Sequence, residues 1–141
     1  MFKIIILNRR KEGISHEQYR EHYENSHAKL GEKYYGHLWT KYKRNYVKAA
    51  FGGSPAPNGG FGPVAFGYDC ITEWEFPSRA EYEELLRIAA DPEIGKIFFE
   101  DEGHFLDRKS LVIIEIGDVL DHVDLSDIDA LLARKKAAAK V

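Results

Sequence analysis

The sequence has little of what defines several common protein classes. It contains one cysteine, Cys70, so no disulfide can form within the chain, which fits a reducing compartment. No run reaches the roughly 18 uncharged apolar residues that a membrane-spanning helix needs. The apolar run at residues 4–7 is also too short for a secretory signal. We therefore expect a cytoplasmic protein that has no membrane partner.

Motifs for metals and phosphates are missing as well. The sequence has no Cys-x-x-Cys and no His-x-x-x-His, and its Gly-rich stretch leads into neither Gly-Lys-Ser/Thr nor a helix. Glu24-x-x-His27 and Asp101-x-x-His104 have the spacing of half a di-iron site. Such a site needs four long helices, whereas the pattern offers two or three short ones. We expect no protein-bound metal.

Charge is nearly balanced overall but is segregated along the chain. The net charge is −3, with eleven Lys/Arg against five acids in residues 1–48 and five against eighteen in residues 49–133. The basic third mixes its cations with acids rather than collecting them in a stripe, which is what a nucleic-acid surface would need. We read these charges as a solvated surface and expect no nucleic-acid partner.

Aromatic and β-branched residues, in contrast, are plentiful and periodic. Strands are predicted within residues 2–7, 41–51, 68–76 and 110–116. Ser15-x-x-Gln18 and Ser78-x-x-Glu81 are capping boxes, which begin helices. The first helix is predicted to end near Leu30, and Asp91-Pro92 ends the second helix and begins a third.

This order of elements predicts an α+β fold. Two split β-α-β halves form the ferredoxin-like fold, a four-stranded antiparallel sheet with helices on one face. The first and last strands are apolar on both faces, so the face without helices needs a cover. Either the C-terminal tail or a second subunit could provide it. We assign residues 1–118 to the domain and 119–141 to a tail that is partly helical.

The Gly/Pro-rich stretch 52–67 interrupts this pattern. Its composition predicts no regular element, and structureless loops of this length inside compact domains are usually either functional lids or disordered. We therefore expect it to close over a binding site.

His27 is the histidine with the most suggestive position. It shares a helix face with Tyr19 and Tyr23, so it is either a general acid/base or a structural residue at a helix end. Four other histidines are expected to be surface residues without partners: His16, His22, His37 and His122. Cys70 is expected to be a small core residue.

The third strand supplies carboxylates. Alternation separates Tyr68, Cys70, Thr72, Trp74 and Phe76, which suit packing under the helices, from Asp69, Ile71, Glu73 and Glu75. A carboxyl group in a low-dielectric cavity has a raised pKa and can exchange protons near neutrality. The alternative is that these acids lie in water or pair with Lys/Arg.

These segments resemble the EthD family of the dimeric α+β barrel superfamily. The resemblance runs from Phe2 to about Gly117 and depends on three segments. The first is residues 3–7 with Arg9-Arg10-Lys11 and the helix end Ser26-His27-Ala28-Lys29-Leu30; the second is Tyr68-Asp69 leading to Glu73 and Phe76; the third is Asp101-Glu102 with Phe105 and Asp107. It implies a homodimer whose sheets face each other, with a pocket in each subunit between sheet and helices. Related proteins include polyketide decarboxylases and cyclases, muconolactone isomerases and cofactor-free monooxygenases.

The resemblance also implies chemistry and site residues. The shared theme is proton transfer on small aromatic, lactone or polyketide-like molecules without a metal or organic cofactor. The catalytic candidates are then His27, Glu73 and Asp69, and the substrate-binding candidates are Tyr23, Tyr46, Tyr68, His104 and Phe66.

Three functions are compatible with this sequence. The first is a cofactor-independent lyase or isomerase of the decarboxylase, cyclase or dehydratase type. The second is a non-catalytic accessory protein that binds a small molecule. The third is a cofactor-free or haem-dependent monooxygenase.

Overall fold

The chain folds around a four-stranded antiparallel sheet. The computed structural model describes residues 1–140. The strands are β1 (Phe2–Asn8), β2 (Lys41–Tyr46), β3 (Phe51–Gly53), β4 (Phe61–Pro63), β5 (Cys70–Phe76) and β6 (Val112–Ile116). The main sheet has the order β2-β5-β1-β6, and β3 pairs with β4 in a separate hairpin. This is the predicted ferredoxin-like arrangement.

The helices begin where the capping signals predict. They are α1 (His16–His22), α2 (Ala28–Tyr35), α3 (Arg79–Ala89), α4 (Pro92–Glu102) and α5 (Ile128–Ala139), with a 3₁₀ turn at Arg108–Ser110. Both capping boxes are present, at Ser15 and at Ser78. Asp91 caps α4 by accepting from two backbone N–H groups. Within residues 1–140, no helix is both long and apolar enough to cross a membrane.

The first helix differs from its prediction in two ways. It does not end near Leu30 but continues as α2 to Tyr35, and a π-helical segment at Tyr23–His27 joins α1 to α2. Position 31 within α2 is a glycine because a Cβ there would lie only 3.3 Å from the Trp39 ring. Tertiary packing of Trp39 explains this glycine, so it does not mark a helix end.

The Gly/Pro-rich stretch also differs from its prediction. It contains the β3–β4 hairpin, in which Phe51 is opposite Pro63 and Gly53 is opposite Phe61. Gly60 has a φ of +66°, a left-handed conformation that glycine adopts without strain. A connection of residues 54–60, ending in this glycine, therefore joins a short antiparallel pair that composition alone did not indicate.

The two faces of the main sheet have different surroundings. On the helix-facing side of the central strands, Ile4, Thr72 and Phe76 are completely buried. The opposite face carries apolar side chains that remain partly or largely exposed: Ile5, Leu7, Ile71, Val112, Ile114 and Ile116. The C-terminal tail does not cover them, since every residue from 117 to 140 is exposed.

The capping box of α3 allows a test of this local analysis. Ser78 accepts from the backbone of Ala80, while Glu81 accepts from the backbone of Ser78. We expect Ser78→Ala to lower the free energy of unfolding by about 1 kcal/mol, because helical N–H groups lose their acceptor. Urea denaturation measures this change. Ser126→Ala, in the exposed tail, should cost less than about 0.5 kcal/mol, and an equal loss there would contradict the assignment.

Candidate functional site

A cavity of about 430 Å³ lies between the inner face of the sheet and the helices. Nine of its lining side chains are Phe, Tyr or Trp, among them Trp39, Tyr42, Trp74 and Phe98. The volume falls within the roughly 300–1,000 Å³ of small-molecule sites, and such sites usually combine apolar walls with a few polar groups. The cavity can therefore hold a planar organic molecule.

The π-helical segment places two polar side chains in the cavity wall. Tyr23 and His27 lie at its two ends, and their rings contact edge to face with centroids 5.5 Å apart. Short π-helical segments are rare and often occur at functional sites. Here the segment brings a hydroxyl group and an imidazole to one side of the cavity.

The buried carboxylate of Asp101, on α4, forms a hydrogen bond with His27. Asp101 accepts from Nδ1 of His27 and Nε2 of His22, each at 3.0 Å, and from the hydroxyl of Ser26 at 2.5 Å. Burial by itself raises the pKa of Asp101, but these three donors outweigh it and lower the pKa to about 2. The group is therefore a carboxylate at neutral pH.

This arrangement determines which nitrogen of His27 can react. A carboxylate only accepts hydrogen bonds, so Nδ1 of His27 carries the proton that Asp101 receives. In the neutral ring Nε2 is then the basic nitrogen, and His27 lines the cavity. When Nε2 takes up a proton, the imidazolium is next to a negative charge. This geometry is suited to general acid/base chemistry.

Tyrosine hydroxyl groups in the same wall can bind a developing negative charge. The hydroxyl of Tyr23 lies 2.8 Å from that of Thr72, and the hydroxyl of Tyr42 donates to Tyr23 at 3.3 Å. Burial raises the pKa of Tyr23 to about 12 and raises the pKa of Tyr42 well above its usual value. Both groups stay protonated at neutral pH and remain available as donors.

Tyr46, a predicted substrate-binding residue, belongs to a different cluster. Its hydroxyl donates to Glu24, which also receives two bonds from Arg44, one of 2.5 Å and one of 2.9 Å. The bonds from Arg44 hold the pKa of Glu24 below its usual value. The cluster ties β2 to the π-helical segment, and Tyr46 does not line the cavity.

Glu73 lies on the face of the sheet away from the cavity. Its carboxylate pairs with Lys3 at 2.8 Å and accepts from Asn45 at 2.9 Å. The hydrogen bond from Lys3 lowers the pKa of Glu73, which agrees with the alternative of an acid paired with Lys/Arg rather than with a raised pKa in a cavity. The structure does not bring Glu73 to His27, because alternation along β5 points it the other way.

Asp69, Tyr68 and Phe66 also lie outside the cavity wall. Asp69 accepts from the backbone N–H of Arg10 at 2.7 Å and contacts Nδ1 of His16 at 2.8 Å. The rings of Phe66 and Tyr68 contact each other with centroids 5.2 Å apart. This group joins the ends of β1 and β5 to the start of α1. Residues 52–67, the predicted lid, contribute no side chain to this cavity wall.

Of the remaining predicted residues, His27 and Tyr23 line the cavity, whereas His104 is exposed and stacks on His22 at 5.4 Å. Two histidines expected to lack partners have one: His16 contacts Asp69, and His22 contacts Asp101. The carboxylate that positions His27 was missed as a site residue. The sequence feature that could have revealed Asp101 is its place as an acid inside the apolar stripe that runs from Phe98 to Phe105.

The two carboxylate–histidine spacings noted in the sequence have structural explanations. Glu24 pairs with Arg44, and Asp101 binds His22 and His27. Across residues 1–140, no group of three or more His, Cys, Asp and Glu side chains is arranged to hold a metal ion. Cys70 is completely buried, and burial raises the pKa of its thiol to about 11.

Comparison with known proteins identifies a family and a fold. The EthD domain matches residues 11–109. A protein from Arabidopsis thaliana is 20% identical, with a TM-score of 0.54, over 87% of this chain and 100% of that one. An ethyl tert-butyl ether D (EthD) family protein from Bacillus halodurans is 21% identical, with a TM-score of 0.53, over 84% and 100%. At these identities the likeness shows the fold alone.

A hydroxynitrile lyase from Passiflora edulis is 19% identical, over 85% of this chain and 96% of that one. Its TM-score of 0.46 supports no argument about function. No curated protein matches the chain.

The low pKa of Asp101 leads to a pH-dependent stability. The pKa of Asp101 falls from 3.8 to about 2 on folding. The contribution of this carboxylate to the free energy of unfolding is therefore complete above pH 3.8 and is lost as the pH falls toward 2. Between about pH 5 and about pH 2, the wild type should lose roughly 2 kcal/mol more unfolding free energy than Asp101→Asn. Urea denaturation at several pH values measures the difference. Asp129→Asn, exposed in α5, should follow the wild type, and parallel curves for Asp101→Asn would refute the assignment.

Proposed function

This chain belongs to the EthD family, and on that premise we propose that it is a cofactor-independent lyase or isomerase acting by proton transfer. Its substrate is a small aromatic, lactone or polyketide-like molecule bound in the aromatic cavity. The observation that carries the proposal is the contact between Asp101 and His27, which orients the imidazole and leaves Nε2 as the basic nitrogen of a histidine that lines the cavity.

The proposed reaction begins with His27. Nε2 takes a proton from a carbon next to a substrate carbonyl, and the electron pair moves to the carbonyl oxygen. The enolate oxygen accepts a hydrogen bond from a tyrosine hydroxyl group, such as that of Tyr42. The imidazolium is stabilised by Asp101 and then returns its proton. Delivery to another carbon isomerises the substrate, and delivery to a leaving group completes an elimination.

The aromatic walls support this proposal in a second way. They keep water from much of the cavity, which strengthens the interaction between the imidazolium and Asp101. They also orient a flat substrate through ring contacts. Asp101 acts as a positioning residue, because it touches His27 rather than the substrate.

Exchange of an acidic C–H proton tests this reaction without knowledge of the natural substrate. The probe is 2-tetralone, a two-ring ketone, in D₂O, with exchange next to the carbonyl followed by NMR. We expect the wild type to accelerate exchange above buffer, and His27→Gln to lower that rate by about 10²- to 10⁴-fold, since it removes the base. His37→Gln, an exposed histidine, is the matched control.

A chelator added to the same assay should leave the rate unchanged. The binding of 2-naphthol, measured by tryptophan fluorescence, checks that the variant cavity is intact. Full exchange activity in the His27→Gln variant would refute the proposal.

The alternative is a non-catalytic protein that binds and delivers a hydrophobic intermediate. Aromatic side chains form much of the cavity wall, and such a lining can bind a small molecule without catalysing a reaction. This composition favours the binding function. Binding of 2-naphthol by the wild type without any acceleration of exchange would support this function over the first.

We also propose that the protein is a homodimer in which the two sheets face each other. The outer face of the sheet is apolar around β1 and β6, with Val112 39% exposed. Lys3 bridges Glu73 and Glu75 on the same face, and Lys41 pairs with Glu75. An apolar area with a polar border is typical of a subunit interface.

A charge placed in the apolar area tests the dimer. We expect Ile114→Glu to convert it to a monomer, because a carboxylate would be buried without a partner. Light scattering coupled to size exclusion gives the mass. Ile97→Glu changes an isoleucine of similar exposure on α4, and that variant should remain a dimer. A wild type that is monomeric at all concentrations would refute this assembly while leaving the cavity chemistry intact.

A further inference from the structure

The chain continues past the sheet into a segment that its own domain does not bury. This C-terminal arm, residues 117–140, follows β6 and ends in α5, and all of it is exposed. Leu120 is 90% exposed, Val123 74% and Leu125 64%. Several large apolar side chains in sequence rarely remain in water without a partner.

The arm also carries charge of one sign before its helix. Residues 118–127 contain four aspartates and no lysine or arginine. A surface that receives this part of the arm should therefore be basic as well as able to cover apolar side chains.

The free edge of the sheet at β2 is basic. Residues 41–48 contain four lysines and arginines and no acid. Lys43 and Lys48 are exposed, and neither forms an ion pair within residues 1–140. As an edge strand, β2 also has backbone groups on its outer side that are free to bind another segment.

We propose that the C-terminal arm of each copy docks along the β2 edge of the second copy, with its aspartates next to Lys43 and Lys48 of the partner subunit. The inference rests on the proposed dimer. When two sheets face each other across a two-fold axis parallel to their strands, opposite edges meet, so β6 of one copy lies beside β2 of the other. The arm begins directly after β6 and so starts at this seam.

The dimensions agree with such a contact. Fully extended, the stretch 117–127 can span up to about 36 Å. A four-stranded sheet is only about 15 to 20 Å wide, because neighbouring strands lie about 4.8 Å apart. The arm therefore reaches the partner's edge and can lie along it, with α5 beyond.

Cross-linking between isotopically distinct copies tests the location of the arm. Light and ¹⁵N-labelled full-length chains are mixed and treated with a carbodiimide, which joins a carboxylate directly to an amine. We expect mixed light–heavy peptides that link Asp121 or Asp124 to Lys43 or Lys48. Links of these aspartates only within one chain, or no links from the arm, would overturn the proposal.

Dimer affinity gives a second, independent readout. By sedimentation, truncation after Gly117 should raise the dimer Kd about tenfold or more. Asp121→Lys/Asp124→Lys should weaken the dimer, and Lys43→Glu/Lys48→Glu in the same chain should restore it, because the charges are exchanged. Lys29→Glu/Lys33→Glu on α2 is the matched control that should not rescue.

Failure of the arm and failure of the dimer are distinguishable. Equal Kd values for the full and truncated chains would exclude arm docking while leaving the sheet-to-sheet dimer in place. A monomeric full-length chain would exclude both.

Discussion

The candidate site depends on the hydrogen bonds that the carboxylate of Asp101 accepts. It joins α4 to the first helix by accepting from His22, Ser26 and His27, and it gives His27 a defined tautomer. Without it, two imidazoles and a hydroxyl group would lose their shared partner in a largely buried position, which is costly. The orientation of His27, the path of the π-helical segment and the polar side of the cavity all follow from this group.

Three carboxylates with several polar partners lie in different parts of the fold, and only one of them is beside the candidate site. Asp101 lies behind the cavity, Glu24 is held by Arg44 beside β2, and Glu73 pairs with Lys3 on the outer face. Each has cationic or hydrogen-bonding neighbours that keep it ionised. Of these three, only Asp101 is hydrogen-bonded to a side chain that lines the cavity, so the proposed acid/base chemistry is concentrated on His27.

The sheet contributes to both the pocket and the assembly through its alternating faces. The helix-facing residues of β1 and β5 form the floor of the cavity, and the residues between them form an apolar outer face. A change in strand register would exchange the two faces. The cavity and the proposed interface are therefore physically coupled through the same strands, and the arm extends that interface beyond the sheet.

The four strands, the helix starts, the apolar faces of the sheet and the inward position of His27 could be predicted from the sequence, because alternation and capping are local properties. The contacts that those residues form depend on the three-dimensional fold. Asp101 is 74 residues from His27 along the chain, and no local pattern links them. Likewise, the sequence correctly predicts alternation along β5, but it does not predict that Glu73 pairs with Lys3 from a neighbouring strand. Long-range pairing is set by packing of the whole fold, which a single sequence does not display residue by residue.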